Sequence, residues 1–398
     1  MPGPRSSRRH RLIPLATAVV AAALGLATAV PGTAVAAPTA PSAVTVDVQT
    51  YNLDLGADLT PLFGATDLPS LITGAATVYA TVQASQPAER MAAIARIVAG
   101  QRPDVVGLQE VAQWATAPWA FVGGYPVPTG AYTTTYDFLA LLLDDLAAEG
   151  VSYDAVSTDV TFNSQVAVPI AIPISGTTAA RYIDRNVVLV RQGSQATAAN
   201  AHWGNFTATF GIRLLGTPVA VNRGWAGIDI SQRGRTFRFF DTHLEAYGVP
   251  GTLKDQIRNP QAVELAGIVA ASPYPTVVVG DINARPTMCA DWRVPKQFDD
   301  DNVVAYGTLE AAGLTESWPA VHPTAPCAPA SWTSGQDSLA GPVSTLSHRI
   351  DVVFTSDEFS ALQSLVVGDT AAELSQPHGL WPSDHASTVA KLRLDAAP

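Results

Sequence analysis

Valines at positions 44, 46 and 48 alternate with polar residues through VTVDVQTYNL (44–53), which predicts a strand with one face on a core. Shorter apolar runs predict further strands at DVVGLQEV (104–111), NVVLVR (186–191), TFRFFDTHL (236–244), TVVVGDI (276–282), RIDVVFTS (349–356) and STVAKLRL (387–394). Helical spacing of apolar residues marks AERMAAIARIVAG (88–100) and DFLALLLDDLAAEG (137–150), each closed by a glycine. KDQIRNPQAVELAGIVAA (254–271) reads as mostly helix, and the stretch after residue 53, with Gly56, Gly64 and Pro69, reads as a loop. Strands follow one another without a regular helical crossover. This predicts mixed sheets in an α/β sandwich rather than a parallel barrel.

The predicted strands end unusually. A buried strand normally runs out into neutral turn residues, but VVVGDIN presents Asp281 and Asn283. Asn52, Glu110, His243, Asp351 and the pair Asp384–His385 likewise stand at strand ends. Each has an ordinary alternative: a turn asparagine, a solvated carboxylate, a satisfied core histidine, an Asp351–Arg349 ion pair, a capping Asp384–His385 turn. Polar groups are costly to bury without partners, so eight of them placed this way point to one shared site.

The ordered series Asn, QE, TH, GD-x-N, RID and SDH resembles the endonuclease/exonuclease/phosphatase superfamily, over about residues 45–394. That family shares the fold of pancreatic-type deoxyribonuclease, abasic-site endonucleases and neutral sphingomyelinases. The resemblance implies two mixed β-sheets packed face to face and flanked by helices, a four-layer α/β sandwich in one domain (45–398) with an insertion at about 112–180. It also implies phosphodiester cleavage, which needs an in-line nucleophile, neutralised phosphoryl oxygens and help for the departing oxygen. Glu110 is then expected to hold a divalent cation, Mg²⁺ with Mn²⁺ or Ca²⁺ as alternatives, with Asn52 and Asp384 completing its oxygen shell and Asp54 an optional member. Asp281 is expected to orient or deprotonate water and Asn283 to fix it or the phosphate. His243 is expected to stabilise the transition-state charge or act as acid, and His385 to contact the phosphate with Asp351 on its ring. Arg185 is the candidate phosphate clamp, with an ion pair to Asp184 or a neighbouring acid as its alternative; Arg223 is a weaker candidate.

Composition narrows the partners. The chain of 398 residues carries a net charge of −11, and four of its 23 Lys+Arg lie in the first 11 residues. A stable nucleic-acid complex is therefore not expected, and Arg233-Gly234-Arg235 reads as a hairpin turn. The basic start, apolar run and Ala34-Val35-Ala36 exit predict a secretory signal peptide over 1–36, followed by a linker at 37–44. A membrane anchor fits the Ala-rich, interrupted run less well, so the mature chain is expected outside the cell, without a membrane segment and monomeric. Cys289 and Cys327 are then expected to form one disulfide, with two free thiols as the alternative. Substrate choice rests between nucleic acid, phospholipid and a smaller phosphoester. The aromatic residues of 112–180 could form a membrane edge, but internal packing is the commoner use. Ser347-His348-Arg349 stands where inositol-phosphate phosphatases carry Cys-Asp-Arg, and no G-x-S-x-G supports a serine hydrolase.

Overall fold

The computed structural model describes residues 42–167, 170–246, 255–289, 303–336 and 338–396. The leader and most of the linker lie outside them. Two sheets stack face to face. The larger one runs, strand by strand, through Phe359–Val367, Ser387–Leu394, Val44–Asn52, Val105–Gln109, Thr178–Arg191 and Gln113–Val122, with Tyr153–Asn163 also paired to the long Thr178–Arg191 strand. The smaller one runs through Thr315–Glu316, Asp351–Thr355, Thr276–Asp281, Arg235–His243, Gly224–Gln232 and Thr197–Asn205. Both are mixed: Val44–Asn52 is parallel to Val105–Gln109, and Arg235–His243 is parallel to Thr276–Asp281, while most other pairs are antiparallel.

Alternation explains the layers. Val277 and Val279 join Val44, Val46, Val48 and Phe239 in the core between the sheets. Val278 points the other way, to a core shared with the helices Asp255–Ala270 and Val304–Ala311. Strands covered on both faces need apolar residues at every position, which is why VVV shows no alternation. Helices Leu68–Ala84, Pro87–Gln101 and Phe138–Ala148 cover the outer face of the larger sheet through Met91, Ile94 and Leu142. Each such side chain removed from water contributes roughly 1.5–3 kcal/mol, so the three cores hold the sandwich together.

One expectation changes. The helix Leu68–Ala84 stands where a loop was expected. Pro69 lies in its first turn, where proline costs no hydrogen bond, and Asp67 and Ser70 form a reciprocal cap. It buries a stripe of Leu71, Ala75, Val78, Tyr79 and Val82, but Pro69 and Gly74 read as breakers and the exposed Thr73, Thr77 and Thr81 are weak helix formers. The segment 112–180 supplies strands to the larger sheet. Of its aromatics, Trp114 is buried against Tyr182 at 4.7 Å, whereas Phe121 and Tyr125 at the hairpin tip are 58% and 62% exposed. Arg233 and Gly234 form the expected turn, both at positive φ. Among the described residues no helix is long and apolar enough to cross a membrane.

Candidate active site

Strand register builds the centre of the site. His243 is the Cα partner of Asp281, and Asp281 is the partner of Asp351, so three neighbouring strands end in one row of polar side chains. The face that carries Val277 and Val279 carries Asp281 next. Gly280, at φ 144°, makes the turn into it possible, since a Cβ there would fall on the carbonyl of Thr242. Facing this row, the larger sheet ends in Asn52 and Gln109, which are also register partners. Asn52 Nδ2 donates to Asp281 Oδ2 at 3.1 Å, so the two sheets meet at this contact. Asp54, Glu110 and Asn283 all hold left-handed backbone conformations, a strain that packing sustains at working sites.

Asp281 is buried, and its Oδ2 lies 3.5 Å from His243 Nε2 and 3.8 Å from His385 Nε2. Burial, then the nearby Asp351 charge, push its carboxyl above the usual range. His385 Nδ1 bonds Asp351 Oδ2 at 2.8 Å, and the surrounding acids hold its imidazolium well above the ordinary pKa against the cost of burial. Thr333 Oγ1 accepts the N–H groups of Ile350 and Asp351, and Ser383 Oγ accepts that of His385 while donating to the Asn52 carbonyl. Arg349, the alternative partner of Asp351, pairs instead with Glu316 at 2.8 Å.

His243 is governed by a residue that sequence reasoning ranked low. Buried Arg223 places its Nη1 2.9 Å from His243 Nδ1. A guanidinium only donates, so Nδ1 accepts and the neutral ring carries its proton on Nε2, facing Asp281. Burial, then the Arg223 charge, hold the His243 pKa well below normal. Arg223 also lies 3.7 Å from Asp184 and 3.6 Å from Glu245. The expected clamp, Arg185, is placed elsewhere: its guanidinium bonds Asp137 Oδ1 at 2.6 Å and the Val111 carbonyl, and only its backbone N–H meets Asp184. Nothing in the spacing around Arg223 distinguishes it, because its partners come from two other segments, around Asp184 and at His243–Glu245.

The expected cation ligands divide. Glu110 accepts the Leu55 N–H at 2.8 Å, and burial, then Asp384 and Asp184, push its carboxyl up. Asp384 stands half-exposed in the same groove. Crowded carboxylate oxygens of this kind suit a hard divalent cation, whose charge removes their repulsion. Asn52 turns its amide to Asp281 and its Oδ1 to the Asp54 N–H. Asp54 itself lies 3.5 Å from Arg90. Asp281, Asp351 and His385 also bring ligand atoms within 4.8 Å of one another, although His385 Nδ1 is already spent on Asp351. Asn283 donates to the Leu244 carbonyl and lines the groove, which encloses about 1000 Å³.

The model of the endonuclease/exonuclease/phosphatase family matches residues 50–385. The chain belongs to the endonuclease/exonuclease/phosphatase family. Solved family structures share the fold. One from Beutenbergia cavernae is 21% identical, with a TM-score of 0.51 over 89% of this chain and 72% of that one. One from Leptotrichia buccalis is 14% identical, with a TM-score of 0.51 over 87% and 99%. The human nocturnin catalytic domain with bound sulfate gives 17% identity and a TM-score of 0.48 over 87% and 94%. No curated protein matches the chain. Membership in the endonuclease/exonuclease/phosphatase family makes this protein a phosphoesterase, a hydrolase of ester bonds.

The expected disulfide is present: Cys289 and Cys327 are bonded, 38 residues apart. It ties the segment leaving Asn283 to the one entering Thr333. A loop of that length predicts that reduction costs about 4 kcal/mol of stability on the chain-entropy model. Melting curves with and without reductant check this; identical curves would remove the disulfide from the stability of the fold.

Proposed function

We propose that the protein is an exported phosphodiesterase that depends on a divalent metal, Mg²⁺ first, with nucleic acid as the leading substrate. The carrying observation is Asp281, buried where the two sheets meet, oriented by Asn52, and within 4 Å of two imidazole nitrogens. Asp281, whose raised pKa suits a base, would take the proton of an attacking water. His243 Nε2–H, its tautomer set by Arg223, and cationic His385 would donate to the phosphoryl oxygens as negative charge develops. A cation held by Glu110 and Asp384 would neutralise the same oxygens. The signal-peptide pattern of 1–36 supports export.

A lipid phosphodiesterase is the second reading, favoured by the exposed Phe121, Val122 and Tyr125 at one hairpin tip. The deciding experiment offers plasmid DNA and a choline phospholipid to the mature chain with Mg²⁺ or EDTA. Metal-dependent nicking supports the nuclease, phosphocholine release the lipid enzyme, and cleavage of neither overturns both. Glu110→Gln should raise the Mg²⁺ concentration needed for half-maximal activity by about 10–100-fold. An unchanged titration would take Glu110 out of the metal shell.

A further inference from the structure

We propose that the groove opens into an apolar subsite that takes a compact hydrophobic substituent of the phosphoester, about the size of a benzene ring; this rests on the phosphoesterase reading. A cavity of about 120 Å³ lies beside the groove, and Leu55, Glu110 and Ala246 line both. Its walls include Leu62, Trp114, Ile172, Tyr182 and Leu214, drawn from the short helix Thr60–Phe63, the larger sheet and the hairpin Phe210–Val221. Of its charged lining groups, Glu110 also lines the groove, and Asp184 and Arg223 line the cavity beside it, the same groups that surround His243 and the cation position. A substituent in the cavity is therefore attached to an ester whose phosphate lies among the site residues.

The lining selects the chemistry. The Trp114 indole N–H is spent on the Leu55 carbonyl, and the Ser164 hydroxyl receives the Tyr182 N–H. Arg223 is held by His243 and Asp184. A polar substituent that reached past Glu110, Asp184 and Arg223 to the apolar wall would lose its water without gaining matched partners, whereas an aryl or short branched alkyl group loses nothing. The volume sets the size, since a dry cavity of about 150 Å³ accepts benzene. An unfilled apolar space forfeits dispersion contacts, and a ligand group of the right shape restores them.

The test uses two diesters with a common reporter, phenyl p-nitrophenyl phosphate and methyl p-nitrophenyl phosphate, hydrolysed by the mature chain with Mg²⁺. After normalisation to the uncatalysed rates, kcat/KM should favour the phenyl ester by about tenfold or more. Ala180→Leu, which grows a side chain from the cavity wall, should bring that ratio towards one. Ala246→Leu at the shared mouth serves if the first variant does not fold. Calorimetry with phenylphosphonate and methylphosphonate gives a second readout, with the phenyl compound expected to bind about tenfold tighter. Equal normalised rates, a ratio untouched by the filling variants, or equal phosphonate affinities would overturn the subsite. Hydrolysis of neither ester would instead count against the phosphodiesterase reading, and the phosphonate comparison would still decide the subsite.

Discussion

Asp281→Ala is expected to lower kcat by about 10²–10⁴-fold, the usual contribution of a positioned general base. Asp281 is bonded to Asn52 of the opposite sheet and lies within 4 Å of both His243 and His385, a position no other carboxylate among the described residues shares. Stability should change far less. Its folded-state pKa lies above the unfolded value, so folding disfavours the ionised form. That penalty grows as pH rises through the folded pKa, and the substitution removes it. Steady-state rates beside a thermal melt check both halves. Near-normal turnover would end the role of Asp281, and a collapsed melt would make it structural.

Arg223→Leu should be the most damaging substitution to the fold and should also impair activity. Its guanidinium is buried among Asp184, Glu245 and Glu110 and fixes the His243 tautomer. Removing one partner of a buried charge cluster costs roughly 3–5 kcal/mol, because the remaining carboxylates are left without a counter-charge. Arg223→Lys separates the two roles. It keeps the charge and should recover much of the melting temperature, but a compact ammonium does not reproduce the planar fork. Its kcat should therefore stay well below that of the parent. A leucine variant with parental melting and parental kcat would refute both roles.

Much of the site was legible because each motif stands at one end of a strand, and strands advertise themselves locally. TYN, LQE, DTH and GDIN each close an apolar run, and RID and SDH each stand just before or at the start of one. Register then turned six separate ends into neighbours, as in the His243–Asp281–Asp351 row. The helix Leu68–Ala84 was hidden because proline and glycine read as breakers and its polar face is built of threonines, which are weak helix formers. Arg185 and Arg223 show the limit for single charges. Arg185 stands before a valine run and Arg223 before Gly224-Trp225, and only the packed chain sends one to Asp137 and the other to His243.

The sequence by itself determined the layered fold class, the family resemblance, the cysteine pair and the acidic and imidazole groups of the site. These depend on local periodicity and on residue types that are costly to bury without purpose. Only the tertiary structure decided which arginine sets the His243 tautomer, that Asn52 serves Asp281, and that an apolar cavity adjoins Glu110. Those facts depend on side chains from distant segments meeting at hydrogen-bond or van der Waals range. No spacing along a chain encodes such meetings, because strand order and sheet stacking bring residues 52, 223, 243 and 281 together.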